Sequence, residues 1–390
     1  MRVAVVAEYY PRAADPVLGV WAHRQALAAR DAGADVRVVV LHRPVPPRAT
    51  RARDAPRALA TMLSQPRGAT LDGLEVRYVP FLAPPRPGSY GSWGAWAAPT
   101  LAIALRRLRA RFPFDLVHAH NAVPAADAVL RAGIARPLVV SVHDANVYFT
   151  APRYEAGARA VRRSYERARL VLANSGGTER DARALGATRT RVVRLGADVP
   201  DEPAQHKAGA PTLVTVGHLV ARKRHADVVR AVWLLRERQP DLRYLVIGDG
   251  PEREPLARLA AELGVADRVE LAGQLPNQEA LARARTAHVF VMASVDEAFG
   301  VVYVEAMAAG LPAIGARAEA GPQEIAAAGD GMRLVAPGDV EALAGEIEAL
   351  IGEPEYAKSL GAAGRETVRR AFTWEACGRA TVAAYEDALR

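Results

Sequence analysis

The chain has 390 residues, too long for one ordinary hydrophobic core, so it favours two domains; 50% of its residues are hydrophobic. Its 51 Lys and Arg against 43 Asp and Glu give a net charge of +8. This charge suits an anionic partner such as a nucleoside diphosphate, a nucleic acid or an acidic lipid surface, or it reflects only an Ala- and Arg-rich composition. The single cysteine, Cys377, excludes an intramolecular disulfide and a cysteine-based metal cluster.

Hydrophobic runs long enough to enter a membrane are absent from the sequence. The first apolar run, residues 3–7, stops at Glu8 and is shorter than the core of a signal peptide. No run reaches the roughly 18 apolar residues of a membrane span. We therefore expect a cytoplasmic protein that is either soluble or peripheral to a membrane.

The first half of the chain alternates between apolar runs and amphipathic segments. A helix over residues 20–31, closed by Gly33, separates the first two apolar runs. Repeats of this length indicate a parallel sheet with helices on both faces. Strands are predicted at residues 2–7, 36–41, 115–120, 137–143 and 169–175. Residues 44–98, rich in Pro, Arg and Gly, are predicted to form a long, partly irregular insertion around a strand at 74–79.

A second series of strands and helices follows a polar, Pro-containing stretch at residues 199–211. Its strands are predicted at residues 212–219, 242–250, 269–273 and 288–294. Near Phe372 the last long helix breaks, and a final helix begins after Thr373, a plausible N-cap. The predicted organisation is a first domain (1–198), a linker (199–211), a second domain (212–370) and a terminal helix (371–390).

Two glutamates, Glu297 and Glu305, follow the strand at 288–294 with seven residues between them. The first lies in the loop and the second in a helix, so the two carboxylates can reach different parts of one elongated ligand. At the helix N-terminus, the backbone N–H groups of Ala298, Phe299 and Gly300 favour phosphate or sugar oxygens. Taken alone, such a pair is more often an ordinary solvated pair.

The segment EAFGVVYVEAMAAGLPAIG, residues 297–315, resembles the Glu-x7-Glu element of the retaining glycosyltransferases with the GT-B fold, family four. Elements similar to those that precede it in the family occur in family order at VGHLVARKRH, VIGDGPER and VELAG. With the N-terminal elements, the resemblance covers nearly the whole chain. It implies an α/β protein of two Rossmann-like, doubly wound domains facing a cleft, with a C-terminal helix that crosses back to the first domain.

The resemblance also implies the activity. The first domain would bind an acceptor, and the second a nucleoside diphosphate sugar, UDP being commoner in the family than GDP. The sugar would be transferred, with retention at the anomeric carbon, to a hydroxyl of a sugar, glycolipid or natural product. The resemblance implies no cofactor, no obligatory metal and no nucleic-acid partner, and it leaves peripheral contact with a membrane open. Two alternatives stay open: a nucleotide-sugar 2-epimerase-like enzyme and a catalytically silent binding subunit.

In the second domain the family pattern assigns roles residue by residue. Glu305 would bind the donor ribose and Glu297 hydroxyls of the donor sugar, while Arg222 and Lys223 would face the diphosphate. The chain departs from the family pattern at two places: Gly217-His218 stands where Gly-Arg is usual, and Arg224 stands where Gly is usual. The diphosphate contact that the usual Arg makes is therefore either lost or supplied by His218 or Arg224. The other donor-binding candidates are Gly248, Gly250, Ala298, Phe299, Gly300 and Val301.

In the first domain, Gly19 is similar to a glycine loop that approaches the diphosphate, although its usual second glycine is Val20. VSVHDANVY resembles a small-x-His motif, which implies that His143 lies beside the transferred sugar with Asp144 nearby. His118 and His120 lie two residues apart and so share one face of a strand, a spacing that two metal ligands could have. No third metal ligand accompanies them in the sequence, so we do not predict a metal site. We assign His120 and Asp144 to the acceptor side.

Overall fold

The computed structural model describes residues 1–45, 54–86, 88–143, 150–204 and 209–390. The chain divides into two compact units. The first contains Met1–Arg194 and Trp374–Arg390, and the second contains Leu195–Thr373. The sequence-based boundaries, after residues 198 and 370, lie a few residues from these divisions.

The first unit contains a sheet that is parallel except at one edge. Its strands lie in the order β3-β4-β2-β1-β5-β6-β7-β8, and only β3 runs antiparallel to its neighbour. The strands are β1 (Arg2–Ala7), β2 (Asp35–His42), β3 (Gly68–Leu71), β4 (Leu74–Pro80), β5 (Leu116–His120), β6 (Leu138–Ser141), β7 (Leu170–Ala173) and β8 (Thr190–Val192).

Helices cover this sheet and bury its apolar strands. Every residue of β1 after Arg2 is buried, as expected for a strand covered on both faces. The helices are α1 (Val20–Asp31), α2 (Ala55–Leu63), α3 (Trp93–Arg111), α4 (Asp127–Arg131), α5 (Ala151–Arg153), α6 (Glu155–Arg167) and α7 (Gly176–Ala184).

The second unit contains a sheet whose described strands all run parallel, in the order β11-β10-β9-β12-β13-β14. Its strands are β9 (Thr212–Val216), β10 (Arg243–Ile247), β11 (Val269–Gly273), β12 (Val289–Val291), β13 (Ala313–Ala316) and β14 (Met332–Val335). Its helices are α8 (His225–Leu234), α9 (Arg253–Glu262), α10 (Asn277–Ala284), α11 (Val301–Ala308), α12 (Ala320–Ala328), α13 (Val340–Gly352) and α14 (Pro354–Ala371). The predicted pair of doubly wound domains is confirmed.

The segment predicted as a partly irregular insertion is more regular than expected. Its predicted strand is β4, which pairs in parallel with β2 and so joins the main sheet. The hairpin strand β3, helix α2 and the first turns of α3 also lie within residues 44–98. The sequence gives little sign of β3 and α2, because neither contains a buried residue and so neither shows a core-facing apolar pattern. Residues 46–53 and 87 lie outside the described residues.

The final helix, α15 (Trp374–Leu389), follows the second unit in sequence but belongs to the first. It packs on α1, where the side-chain amide of Gln25 donates to the hydroxyl of Thr381 at 3.2 Å. A Cβ atom at Gly378 would lie 2.2 Å from the carbonyl oxygen of Ala28, so only glycine allows this close approach of the two backbones. The predicted return of the terminal helix to the first domain is confirmed.

We predict that Gly378→Ala destabilises the first unit, because the added methyl group forces α15 away from α1. Overpacking of this kind costs about 1–3 kcal/mol. Gly345→Ala is the matched control: Gly345 lies inside α13 with nothing near its added methyl group, so this change should stabilise by about 0.5–1 kcal/mol.

Hydrogen exchange of α1 and α13 checks both changes. Gly378→Ala should speed exchange in α1 and leave α13 unchanged. Protection of α1 equal to that of the unmodified protein would contradict the packing described for α15.

Candidate functional site

Within the described residues, each sheet has one place where the strand order reverses, and several candidate residues of each unit follow the strands on either side of it. In the second unit, β9 lies between β10 and β12, so the loops after β9 and β12 diverge. Ligands of doubly wound sheets bind at the carboxyl ends of such strands. Lys223 follows β9 and Glu297 follows β12, so the topology brings two predicted residues together.

Glu297 is the centre of a buried polar cluster in the second unit. Its Oε2 atom lies 2.5 Å from Nζ of Lys223 and 3.7 Å from NH1 of Arg222, and it accepts a hydrogen bond of 3.1 Å from the hydroxyl of Ser294. Burial alone would raise the pKa of Glu297, but Lys223 and Arg222, with the hydrogen bonds, bring that pKa below its ordinary value. Glu297 is therefore an anion held by cations.

The loops that carry these residues are tied to each other through the backbone. The N–H of Val295 donates to the carbonyl of Arg222 at 2.8 Å, and NH1 of Arg222 donates to the carbonyl of Asp296 at 3.3 Å. Gly300 has a φ of 83° and starts α11, a conformation that favours glycine. The position of Glu297 is therefore set by contacts around the loop as well as by its ion pair.

A further carboxylate, Glu319, contacts the same loop and was missed in the sequence. It follows β13, and its Oε2 accepts the backbone N–H of Glu297 at 2.8 Å. Burial raises the pKa of Glu319, and hydrogen bonds from the backbone of Glu297 and Asp296 only partly offset this. The sequence carries no distinguishing signal for Glu319, because a carboxylate in a loop after a strand is usually a solvated surface residue.

The remaining donor-side candidates of α11 lie along the start of the helix. Ala298 and Phe299 are buried in the loop, and Val301 is the first helical residue. Glu305 is half-buried in the second turn. Their proposed contacts with a nucleotide stay predictions.

Gly248 and Gly250 allow the loop after β10 to pack against the loop after β9. A Cβ atom at Gly248 would lie 2.0 Å from the carbonyl oxygen of Gly217, and one at Gly250 would lie 2.5 Å from that of Leu219. Close backbone contact therefore requires both glycines, whatever else they bind. His218 lies in the same loop, and its predicted diphosphate contact stays a prediction.

Arg224 occupies the position where the family usually has glycine, and the backbone explains that preference. Its φ is 55°, in the left-handed region that side chains other than glycine rarely adopt. The guanidinium Nε donates to Oδ2 of Asp227 at 2.5 Å. The ion pair with Asp227 therefore gives Arg224 a local partner in its own unit.

In the first unit the strand order reverses between β1 and β5. Gly19 has a φ of 65° and caps α1, and a Cβ atom there would lie 2.2 Å from the backbone of Tyr9. Glu8, which directly follows β1, accepts hydrogen bonds from Arg86 at 2.5 Å and from the hydroxyl of Tyr90 at 2.8 Å. In the sequence, Glu8 marks only the end of an apolar run, so its contacts with Arg86 and Tyr90 were missed.

Three histidines of the first unit form a column of neighbouring rings. His118 bonds through Nδ1 to the hydroxyl of Tyr385 at 2.7 Å and through Nε2 to the hydroxyl of Ser141 at 2.8 Å. Nδ1 of His120 lies 3.2 Å from Nε2 of His143, and the centroids of these two nearly parallel rings are 5.5 Å apart. The sequence placed His120 on the acceptor side, and the structure buries it against His143.

Asp144, the other acceptor-side candidate, lies outside the described residues. Within the described ranges, no group of three or more His, Cys, Asp or Glu side chains is arranged to hold a metal ion. In the same part of the chain, no helix combines the length and apolar composition needed to cross a bilayer.

Known proteins similar to this chain share its organisation. The family descriptions that match are Glycosyltransferase Family 4 over residues 18–200 and Glycosyl transferases group 1 over residues 199–367. Sucrose-phosphate synthase from Thermosynechococcus elongatus aligns with a TM-score of 0.80 at 21% identity, over 99% of this chain and 98% of that one. HepE of Anabaena in complex with UDP and glucose aligns with a TM-score of 0.73 at 20% identity, over 99% of each chain. At these identities the two structures show the fold.

Two relatives are more similar to this chain in sequence than these two structures are. The 2-deoxystreptamine glucosyltransferase of Streptomyces kanamyceticus is 29% identical over 313 residues, which are 73% of this chain and 80% of that protein. The GDP-mannose-dependent alpha-(1-6)-phosphatidylinositol monomannoside mannosyltransferase of Mycolicibacterium smegmatis is 31% identical over 303 residues, which are 72% of this chain and 78% of that protein. The chain therefore belongs to the family 4 glycosyltransferases with the GT-B fold.

Proposed function

We propose that this glycosyltransferase moves a hexose from a nucleoside diphosphate sugar to an acceptor hydroxyl, with retention at the anomeric carbon and without an obligatory metal. The observation that carries the proposal is the buried cluster of Glu297 with Lys223 and Arg222 at the carboxyl edge of the second sheet. The cluster combines a carboxylate that can accept sugar hydroxyls with cations that can face a diphosphate.

The proposed reaction depends on positioning of the substrates and on stabilisation of charge more than on a protein nucleophile. The bond between the anomeric carbon and the diphosphate oxygen breaks while the acceptor oxygen bonds to the same face of that carbon. The acceptor proton passes to the departing phosphate oxygen. As negative charge grows on the diphosphate, Lys223 and Arg222 stabilise it, and Glu297 holds both the sugar and the Lys223 ammonium in place.

The donor base is proposed from the family, in which uridine is common. A guanosine donor is the second candidate, because the relative from Mycolicibacterium smegmatis is named as GDP-mannose-dependent. For the acceptor we propose a hydroxyl of a sugar, glycolipid or natural product. The two named relatives, one acting on a phosphatidylinositol monomannoside and one on 2-deoxystreptamine, support that range. Contact with a membrane surface is proposed only for a glycolipid acceptor.

A donor screen tests the proposal. UDP-glucose, UDP-N-acetylglucosamine and GDP-mannose are each incubated with the full chain, with and without a panel of acceptors, and NMR follows the anomeric signals. Retained configuration in the product and activity in excess EDTA are expected. Inversion, or loss of activity that added Mg²⁺ restores, would overturn the mechanism.

The same screen, together with calorimetry, separates the two alternatives. An epimerase-like enzyme would change the donor sugar without an acceptor. A silent subunit would bind none of the nucleotides in calorimetry. Membership of the glycosyltransferase family favours transfer over both.

We predict that the ion pair of Glu297 and Lys223 contributes to stability as well as to rate. Glu297→Gln leaves the buried Lys223 ammonium beside Arg222 without its anion, and should lower the free energy of unfolding of the second unit by about 3 kcal/mol. Lys223→Met should cost less, because Arg222 and Ser294 still contact Glu297. The double change should cost less than the sum of the single changes, while transfer falls by about a hundredfold or more in all three.

An exposed pair of the same unit, Arg238 with Glu348 at 2.7 Å, is the matched control. Replacing Arg238 with Met should change stability by less than about 1 kcal/mol and leave transfer intact. Urea unfolding and initial rates measure these effects. Additive losses in the Glu297 and Lys223 variants would show that the two side chains are not coupled.

We also predict how acid affects this pair. The pKa of Glu297 is below its ordinary value of 4.5, so its stabilising effect is present above the unfolded-state pKa and is lost as pH falls through the lower folded-state pKa. Below about pH 4.5 the unmodified protein should therefore lose more stability than the Lys223→Met, Glu297→Gln double variant. Unfolding midpoints measured from neutral to acid pH check this, and parallel curves would contradict it.

We expect Glu305→Ala to weaken nucleoside diphosphate binding by about tenfold, because it removes the acceptor proposed for the ribose hydroxyls. The free nucleotide carries no sugar, so Glu297→Ala should mainly lower turnover. Glu341→Ala, on the exposed start of α13, is the control and should change neither. Calorimetry with UDP and GDP, together with steady-state rates, distinguishes these roles. Equal, near-normal kinetics for Glu297→Ala and Glu305→Ala would refute both assignments.

A further inference from the structure

The histidine column of the first unit, defined as His118, His120 and His143, lies on one face of β5 and β6. His118 and His120 are two residues apart on β5, and the register pairs His120 with Ser141, two residues before His143. The rings of His118 and His120 are 4.4 Å apart, and those of His120 and His143 are parallel within 7°. The indole ring of Trp21 lies 6.0 Å from His143. His120 is therefore the central ring, with a histidine ring on each side.

The three imidazoles are neutral at physiological pH. Burial lowers the pKa of His118 to about 3 and that of His143 to about 4. Burial, with the neighbouring His118 and His143, also takes the pKa of His120 well below its ordinary value. Each ring then carries one N–H and one lone pair, so each hydrogen bond in the column has a direction.

The bond of 3.2 Å between Nδ1 of His120 and Nε2 of His143 holds one proton, and two assignments are possible. If His143 donates, His120 carries its proton on Nε2. If His120 donates, its Nε2 is a lone pair. Nε2 of His120 is buried and has no hydrogen-bond partner among the described residues. A buried N–H without an acceptor is costly and rare, so the assignment in which His120 donates is favoured.

We propose that His120 is a positioning residue that donates through Nδ1–H to Nε2 of His143 and thereby holds His143 as its Nδ1–H tautomer. His143 then presents a hydrogen-bond donor on its other nitrogen, suited to a hydroxyl oxygen of the transferred sugar. The sugar contact rests on the proposed function, whereas the tautomer of His143 is a property of the protein alone. In this state His143 positions the sugar through a donated hydrogen bond and does not remove a proton.

The tautomer is measured directly by ¹⁵N–¹H correlation spectra of the full chain with ¹⁵N-labelled histidine, with no nucleotide present. The His143 signals are assigned by their loss in His143→Asn. A protonated Nδ1 and an unprotonated Nε2 are expected for His143. An Nε2–H tautomer in the unmodified protein overturns the inference, and no variant has to fold for that result.

Two substitutions at His120 test the positioning role. His120→Asn places an amide N–H where Nδ1–H was and should keep the His143 tautomer, with kcat within about threefold of normal. His120→Leu removes the donor, so His143 should shift toward the Nε2–H tautomer that imidazole prefers in water. Its kcat should fall by about tenfold or more with little change in donor KM. An unchanged tautomer in His120→Leu, or equal rates for both variants, overturns the proposal.

The matched control is His118→Leu. It removes a buried imidazole from the same column, together with its bonds to Tyr385 and Ser141, but it leaves the partner of His143 in place. Stability should fall while the His143 tautomer stays unchanged; a changed tautomer would show that packing, and not the bond from His120, sets it. If the donor screen finds no transfer while the spectra show Nδ1–H, the proposed function fails and the tautomer stands.

Discussion

The reversal of strand order in each parallel sheet is the constraint on which both groups of polar residues depend. A parallel sheet whose strands are added first on one side and then on the other leaves diverging loops at the strand where the direction changes. In the second unit, this brings the loops after β9 and β12 to one edge, where Lys223 meets Glu297. In the first unit, the loop after β1 and the carboxyl end of β5 hold Glu8, Gly19 and His120 in the same way.

The two units bury polar groups by opposite means. Burial disfavours any charged form, so it raises the pKa of a carboxyl and lowers that of an imidazole. Around Glu297, Lys223 and Arg222 outweigh burial, and the carboxylate stays charged. In the histidine column burial prevails, and the rings stay neutral and bond to each other. The second unit thus carries fixed charge around Glu297, and the first carries uncharged, directional hydrogen bonds around His120.

Several contacts of these clusters could not be read from the chain, because they join residues far apart in sequence. Glu319 reaches the backbone of Glu297 from the next strand of the sheet, and Arg86 reaches Glu8 from a segment that the composition marked only as irregular. His118 and His120 were recognised as a pair on one strand face. Their separate partners, Tyr385 for one and His143 for the other, depend on α15 and β6.

The alternation of apolar runs and amphipathic segments is visible in the amino-acid sequence, and it predicts the doubly wound fold because burial of a strand on both faces leaves a local pattern. The short motifs that follow the strands are visible there too, since glycines, acids and cations near strand ends can be recognised without a partner. Three contacts come from the fold instead: Lys223 and Glu297 form one ion pair, Gly378 lets α15 pack on α1, and His120 faces His143. These contacts depend on distances of a few ångströms between segments that chain order does not relate.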